Sequence, residues 1–306
     1  MLIRAGATDF PLPMPPRILE VGFGDGRFTA QIARMYPEWQ ILGVEISAGS
    51  VARALGRFRR EGIGSVRVYH GEAGFALRNL VAPRSLRRVY VNFPDPWPKA
   101  KHQANRLLQR AFFRRLSTRL AEGGELLLTT DHEDYWKFAQ AEGRASEVFH
   151  LETPPPPDFH LTTKYALKWK AQGRRFYHAV FRKAAEDPTP WPPLPRYPMP
   201  HALLAGSLPT LETFEKTVIR FAGGTAVLLE ATRTLTPEGG YYFHSHIEEE
   251  DLVQDVLLEA RPSAHGLYVG IGRFGAPLST AGVRVAVEWL VGWLEGQGLQ
   301  VVQRSY

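Results

Sequence analysis

Glu20-Val21-Gly22-Phe23-Gly24-Asp25-Gly26 follows a short apolar run at residues 17–21. It precedes a stretch at 27–35 in which Phe28, Ile32 and Met35 fall at helical spacing. A strand, a glycine-rich turn and a helix in that order open a βαβ unit whose turn lets a ligand approach the backbone closely. The same alternation continues. Strands are predicted at 40–44, 65–69, 86–91, 125–129, 148–151 and 175–182, and helices at 48–61, 103–121 and from Asp131 onward. Arg53, Arg57 and Arg59 fall on the outward side of the second helix. Regular alternation of this kind predicts an α/β fold, with a doubly wound, mainly parallel sheet covered on both faces.

Seven prolines crowd residues 187–200, which read as a linker or as a strap along the surface. Beyond them the pattern changes to strands at 225–229, 241–246, 256–258, 267–270 and 299–303 with one helix at 283–294, a second, smaller α+β domain. The expected division is residues 1–186, a Pro-rich linker at 187–200, and an accessory domain at 201–306. Charge follows it: residues 1–186 carry 29 Lys/Arg against 18 Asp/Glu, and residues 187–306 carry 8 against 13. Only the first part suits a polyanion. The absence of cysteine excludes disulfides and thiolate metal sites. No apolar run reaches the roughly 20 residues that span a bilayer, and residues 1–16 lack the apolar core of a secretory signal, so a cytoplasmic protein is expected.

Carboxylates end the early strands. Glu20 lies two residues before Gly22, Glu45 closes the second strand, and Glu72-Ala73 follows the third. A carboxylate after the second strand can accept from both hydroxyls of a ribose. One after the third can accept from an adenine amine while the next backbone N–H donates to the ring. The set fits adenosine with a short amino-acid tail better than a dinucleotide, because acids repel a pyrophosphate and attract a sulfonium. After the fourth strand comes Asn92-Phe93-Pro94-Asp95-Pro96-Trp97-Pro98-Lys99. Its three prolines fix φ and make the turn stiff, so an acid, an indole and an ammonium sit rigidly at a strand's carboxyl end.

These segments, with Leu19-Glu20-Val21-Gly22-Phe23-Gly24, Gly43-Val44-Glu45, Thr130-Asp131 and Thr163-Lys164-Tyr165, resemble the bacterial tRNA (guanine-N7-)-methyltransferase family over about the first 185 residues. The resemblance implies a Rossmann-like class I methyltransferase sheet that uses S-adenosylmethionine to methylate N7 of a variable-loop guanosine in tRNA. It implies that Glu20, Gly22, Gly24, Gly26, Glu45, Glu72, Ala73 and Asp95 line the cofactor, with Asp95 also catalytic. Lys99, Asp131, Thr163, Lys164 and Tyr165 would meet the RNA or its guanine, and no metal is implied. The chain departs from the family at Ala166, where an acid is usual, and at residues 187–306, which the resemblance does not cover.

Two residues stay open on the sequence alone. Asp131 is either a guanine contact or a helix N-cap, and Trp97 either stacks on a base or packs locally. Lys99, Lys101, His102, Arg106, Arg110, Arg114, Arg115 and Arg119 form one basic run, and Lys164, Lys168, Lys170, Arg174 and Arg175 a second. Both lie beside the proline turn and read as phosphate contacts. The competing readings are a small-molecule methyltransferase or aminopropyltransferase on the same scaffold, and a non-catalytic RNA-binding protein. His244 and His246 with the acids that follow read as ordinary surface rather than a metal site.

Overall fold

The computed structural model describes residues 2–236 and 238–306, with the side chains of Ala100, Lys164 and Tyr165 outside the description. The chain forms two compact units. One is built from the residues up to Ile3 together with Thr8–Pro193, the other from Arg4–Ala7 and Leu194–Tyr306.

In the first unit the strands are β1 (Leu2–Ile3), β2 (Ile18–Val21), β3 (Ile41–Glu45), β4 (Val66–His70), β5 (Leu86–Asn92), β6 (Leu120–Thr130), β7 (Phe149–Glu152) and β8 (Tyr177–Lys183). The helices are α1 (Arg27–Met35), α2 (Ala48–Arg60), α3 (Ala73–Phe75), α4 (Arg110–Ser117), α5 (Glu133–Ala145) and α6 (Lys164–Ala171). The sheet runs β1-β4-β3-β2-β5-β6-β8-β7, parallel except at β8, which pairs antiparallel with both neighbours. The central strands are apolar on successive residues because helices cover both faces. Ile18, Ile41, Val66 and Tyr90 pack with Phe28 and Ile32 of α1 and with Val51, Ala54 and Phe58 of α2. The strand order reverses at β2, which has β3 on one side and β5 on the other. Open α/β sheets leave a crevice for ligands at the carboxyl ends of the strands flanking such a reversal.

The helix predicted at 103–121 is shorter. A 3-10 turn covers Ala100–Asn105, Arg106 is extended (φ −65°, ψ 133°), and α4 begins only at Arg110. α4 buries Phe113 and Leu116, and Arg106 stands outside helical geometry, where it makes the bonds described below. Gly123-Gly124 lies inside β6, where a Cβ on Gly124 would stand 3.0 Å from the carbonyl oxygens of Ala121 and Leu86. Glycine there lets β6 stay close to β5 through a shift in register.

The proline-rich stretch is not a free linker over its first half. The Arg114 guanidinium grips Asp187 through two bonds of 2.8 and 3.1 Å, which holds the Asp187 carboxyl down at about 2. Trp191 lies against the guanidinium groups of Arg115 and Arg119, 5.1 and 5.0 Å from its ring. Its carbonyl accepts from Arg119 at 2.8 Å, and the Pro192 carbonyl accepts from Arg78 at 2.8 Å. Three arginines that read as RNA-facing, Arg114, Arg115 and Arg119, are thereby committed to this strap. Trp191→Ala in the full chain should cost about 2 kcal/mol of cation–π contact and packing. That corresponds to a melting temperature lower by roughly 4–8 °C for a unit of this size. A scanning calorimetry trace unchanged from wild type would contradict the strap.

The second unit holds an antiparallel sheet in the order β10-β11-β12-β13-β14-β9-β15. Its strands are β9 (His201–Ala205), β10 (Thr217–Phe221), β11 (Gly224–Arg233), β12 (Tyr241–Glu249), β13 (Leu252–Ser263), β14 (Gly266–Ile271) and β15 (Gln300–Arg304). Helix α7 (Ala281–Gly296) covers one face, with Val283, Val287, Leu290 and Leu294 packed on Phe243, Ile247 and Leu258. Alternation along β12 puts Phe243, Ser245 and Ile247 inward and His244 and His246 outward. Asp255 accepts from both histidines, at 3.3 and 2.9 Å. No group of three such side chains among the described residues is arranged to hold a metal. No described helix is long and apolar enough to cross a membrane.

Candidate active site

A cavity of about 720 Å³ opens at the carboxyl ends of β2, β3, β4 and β5. Its floor is the glycine turn. Gly22 and Gly24 have φ of 73° and 58°, and a Cβ on either would meet no protein atom within 4 Å. Both therefore leave bare backbone for a ligand to lie against. Gly26 does not line the cavity, which corrects the reading of all three glycines as cofactor contacts. A Cβ there would strike Ala54 at 2.7 Å and Phe58 at 2.8 Å, so Gly26 serves the close packing of α1 on α2. Asp25 is likewise structural: Arg57 reaches back from α2 to its carboxylate at 3.3 Å and to its carbonyl at 3.0 Å. Arg57, expected to point outward, faces this turn.

Four further acids line the cavity in distinct states. Glu45 accepts from the Gly24 N–H through one oxygen and from the Ser47 N–H through the other, each at 2.9 Å. It thus ties the glycine turn to the start of α2 while facing the cavity. Glu20 is buried, and Thr29 donates to it at 2.6 Å. Burial outweighs that bond and, with Glu45 and Asp25 nearby, pushes the Glu20 carboxyl up to about 8. Glu72 stands before α3 without capping it, next to Ala73. Asp95 is exposed on the proline turn and makes no hydrogen bond or ion pair among the described residues.

The turn that carries Asp95 is strained. Phe93 and Trp97, one on either side, have φ of 53° and 41°. Such values cost bulky residues on the order of 1–3 kcal/mol each and persist only where surroundings impose them. The Phe93 N–H is fixed to the Thr129 carbonyl at 2.7 Å, and its ring meets Phe176 edge-on at 5.8 Å. Trp97 lines the cavity and also tilts against His102 at 5.8 Å, so both readings of that indole describe part of its surroundings.

The expected nucleic-acid residues are dispersed. Thr163 lines the cavity and caps α6, accepting from the Ala166 N–H at 3.0 Å. Ala166 is fully buried, so an acid at that position would meet the interior of this unit. The side chains of Lys164 and Tyr165 lie outside the described residues. Lys99 is exposed and does not line the cavity. Asp131 does not line it either. It pairs with Arg174 at 2.6 Å, and His132 is the residue that caps α5. That ion pair, with Arg174 also 3.8 Å over Trp169, removes Arg174 from the second basic run. The exposed cations that remain outside ion pairs among the described residues are Lys99, Lys101 and Arg110 on one side and Lys168, Lys170 and Arg175 on the other, with Lys168 also 4.6 Å over Trp169 and Arg175 5.4 Å over Tyr177.

Asn92 was missed. It is buried at the end of β5 and lines the cavity, and both polar atoms of its carboxamide lack a hydrogen-bond partner among the described residues. A polar residue ending the apolar run Val89-Tyr90-Val91 is the signal that marks it, because buried amides ordinarily find partners.

Comparison with known proteins bears on the same residues. A family model described as "Putative methyltransferase" matches residues 15–179. The tRNA (guanine-N(7)-)-methyltransferase of Thermus thermophilus is 59% identical over 288 residues, 94% of this chain and 92% of its own. That of Deinococcus radiodurans is 39% identical with both chains fully covered, so the likeness extends through the second unit. The Thermotoga maritima enzyme of the same name is 36% identical over 168 residues, 54% of this chain and 53% of its own.

Proposed function

Because the chain belongs to the tRNA (guanine-N(7)-)-methyltransferase family, we propose that it transfers a methyl group from S-adenosylmethionine to N7 of a variable-loop guanosine in tRNA. The observation that carries this reading is the uncommitted Asp95 carboxylate, held on a strained, proline-fixed turn at the mouth of an acidic cavity. When bound, the cofactor supplies a methyl group on a positively charged sulfur. Glu45 would accept from the ribose hydroxyls and Glu72 from the adenine amine, the Ala73 N–H would donate to the adenine ring, and the bare backbone at Gly22 and Gly24 would let the chain close against the ligand. Glu45, Glu72 and Asp95, besides the buried Glu20 and the Arg57-bound Asp25, face two arginines, Arg27 and Arg53, a lining that fits a cation and opposes a pyrophosphate.

Guanine N7 is an in-plane lone pair with no proton to remove, so the reaction requires no base at that atom. The methylated purine would carry a positive charge, so negative charge placed beside the ring favours the transfer. Asp95 accepts from the guanine N1–H and amine edge, which orients N7 and places a negative charge beside the ring. Lys99, Lys101, Arg110, Lys168, Lys170 and Arg175 hold phosphates, a contact weakened by salt. A guanosine in a mobile loop would leave its stack for the cavity at a lower cost than one inside a duplex.

Glu20 gives this reading a pH signature. With its carboxyl at about 8, Glu20 is mainly protonated at pH 7, and a cation brought beside it favours the ionised form. Cofactor binding should then release a proton between pH 6 and 8, and affinity should fall as pH drops below 8, by up to about tenfold per unit. Calorimetry in buffers of different ionisation enthalpy reads this directly. The proton release should vanish in Glu20→Gln, and a pH-independent affinity in the wild type would contradict the placement of the cation. The acceptor atom is tested with tRNA transcribed with 7-deazaguanosine, which lacks the N7 lone pair. Methyl incorporation should be lost, and persistent incorporation would move the acceptor to another atom.

A further inference from the structure

Arg106 stands in the basic run that reads from sequence as RNA-facing, yet it is only 5% exposed. Its Nε donates to the Pro96 carbonyl at 2.9 Å and its Nη2 to the Trp97 carbonyl at 3.4 Å. Its guanidinium lies 4.7 Å over the Phe138 ring and 5.7 Å from that of Tyr135, both on α5. Pro94, Pro96 and Pro98 bring no N–H to the turn, so its carbonyls depend on donors from outside it. A planar guanidinium can bond two successive carbonyls with its edge while its face rests on an aromatic ring, and an ammonium cannot do both.

From this geometry we infer that Arg106 is the positioning residue of the active site. It anchors the Pro96-Trp97 segment to α5 and so sets where Asp95 stands, and it makes no phosphate contact. The inference rests on the methyl-transfer reading above and deepens it. It also accounts for the positive φ at Trp97, one residue beyond the first carbonyl that Arg106 holds. Without the fork, the segment is free to relax towards ordinary backbone geometry and carry Asp95 with it.

Positioning and phosphate binding predict opposite kinetics. Arg106→Met should lower the single-turnover rate at saturating tRNA about 100-fold, the size expected when a reacting group is displaced by roughly an ångström. The affinity for tRNA, and its slope against salt concentration, should stay at wild-type values. Arg106→Lys, which keeps the charge and can reach only one carbonyl, should recover part of the rate. Amide exchange of the peptide covering residues 93–105, read by mass spectrometry, should quicken in Arg106→Met whether or not tRNA is present. Lys99→Met, at an exposed cation, serves as the comparison, with a salt slope shallower by about one. If Arg106→Met does not fold, Arg106→Lys decides by its reduced rate together with quickened exchange of residues 93–105, since it keeps the charge and leaves the salt slope unchanged on either reading. An unchanged rate, unchanged exchange, or a salt slope reduced as in Lys99→Met would overturn the inference. A wild-type chain that labels no tRNA would instead overturn the function, and the exchange measurement would still judge Arg106.

Discussion

Asp95→Ala should yield a folded protein whose methyl transfer to tRNA is slower by about 100- to 1,000-fold, the range seen when one group aimed at developing charge is removed. The fold should not notice, because Asp95 is exposed and bonded to nothing among the described residues. Substitutions at such positions usually change stability by less than about 0.5 kcal/mol. The two flanking prolines keep the turn's shape without the carboxylate. Asp95→Asn is the sharper variant. It keeps the size, loses the charge, and sets an NH2 against the donor edge of guanine, so it should be nearly as slow as Asp95→Ala. Single-turnover rates with an unchanged thermal melt would bear this out, and a folded Asp95→Ala within threefold of wild type would contradict it.

Glu45→Ala should weaken cofactor binding by about 1.5–3 kcal/mol, or roughly 10- to 100-fold in Kd. The structure enlarges what ribose contact alone predicts, because the same carboxylate holds the N–H groups of Gly24 and Ser47. Losing it frees the glycine turn as well as the ligand. Glu45→Gln keeps the size and removes the charge. Its amide has one acceptor oxygen for two N–H donors, so one of them faces an NH2 and the turn is disturbed although the shape is kept. Calorimetry should therefore place Glu45→Gln close to Glu45→Ala. An affinity equal to wild type in either variant would mean that β3 does not end at the ribose.

The parts of this protein that were legible in the sequence are those set by local periodicity. The apolar runs of β2 to β5 are buried, as are Phe28 and Ile32 of α1 and Val51 and Phe58 of α2, whereas Met35, at the same helical spacing at the end of α1, is exposed; the acids at the strand ends converge on one cavity. What was not legible depends on partners far away in the chain. Arg106 and Arg119 look like surface cations until the carbonyls they bond, those of Pro96 and Trp97 for one and Leu77 and Trp191 for the other, are brought beside them. Asp131 could not be assigned because its partner, Arg174, is 43 residues away. Glycine spacing likewise could not tell Gly24, which opens on the cavity, from Gly26, which packs on α2. In the second unit β9 and β10 went unseen: β9 is placed between β14 and β15 by long-range pairing, and the half-exposed β10 has no long apolar run.

The measurement that most directly tests the account is nucleoside analysis of tRNA after incubation with this protein and methyl-labelled S-adenosylmethionine. The label should appear in 7-methylguanosine, and strand scission at the modified base should map it to the variable loop. Label in any other nucleoside, 7-methylguanosine mapping elsewhere in the tRNA, or transfer to a small molecule with none to tRNA would contradict it.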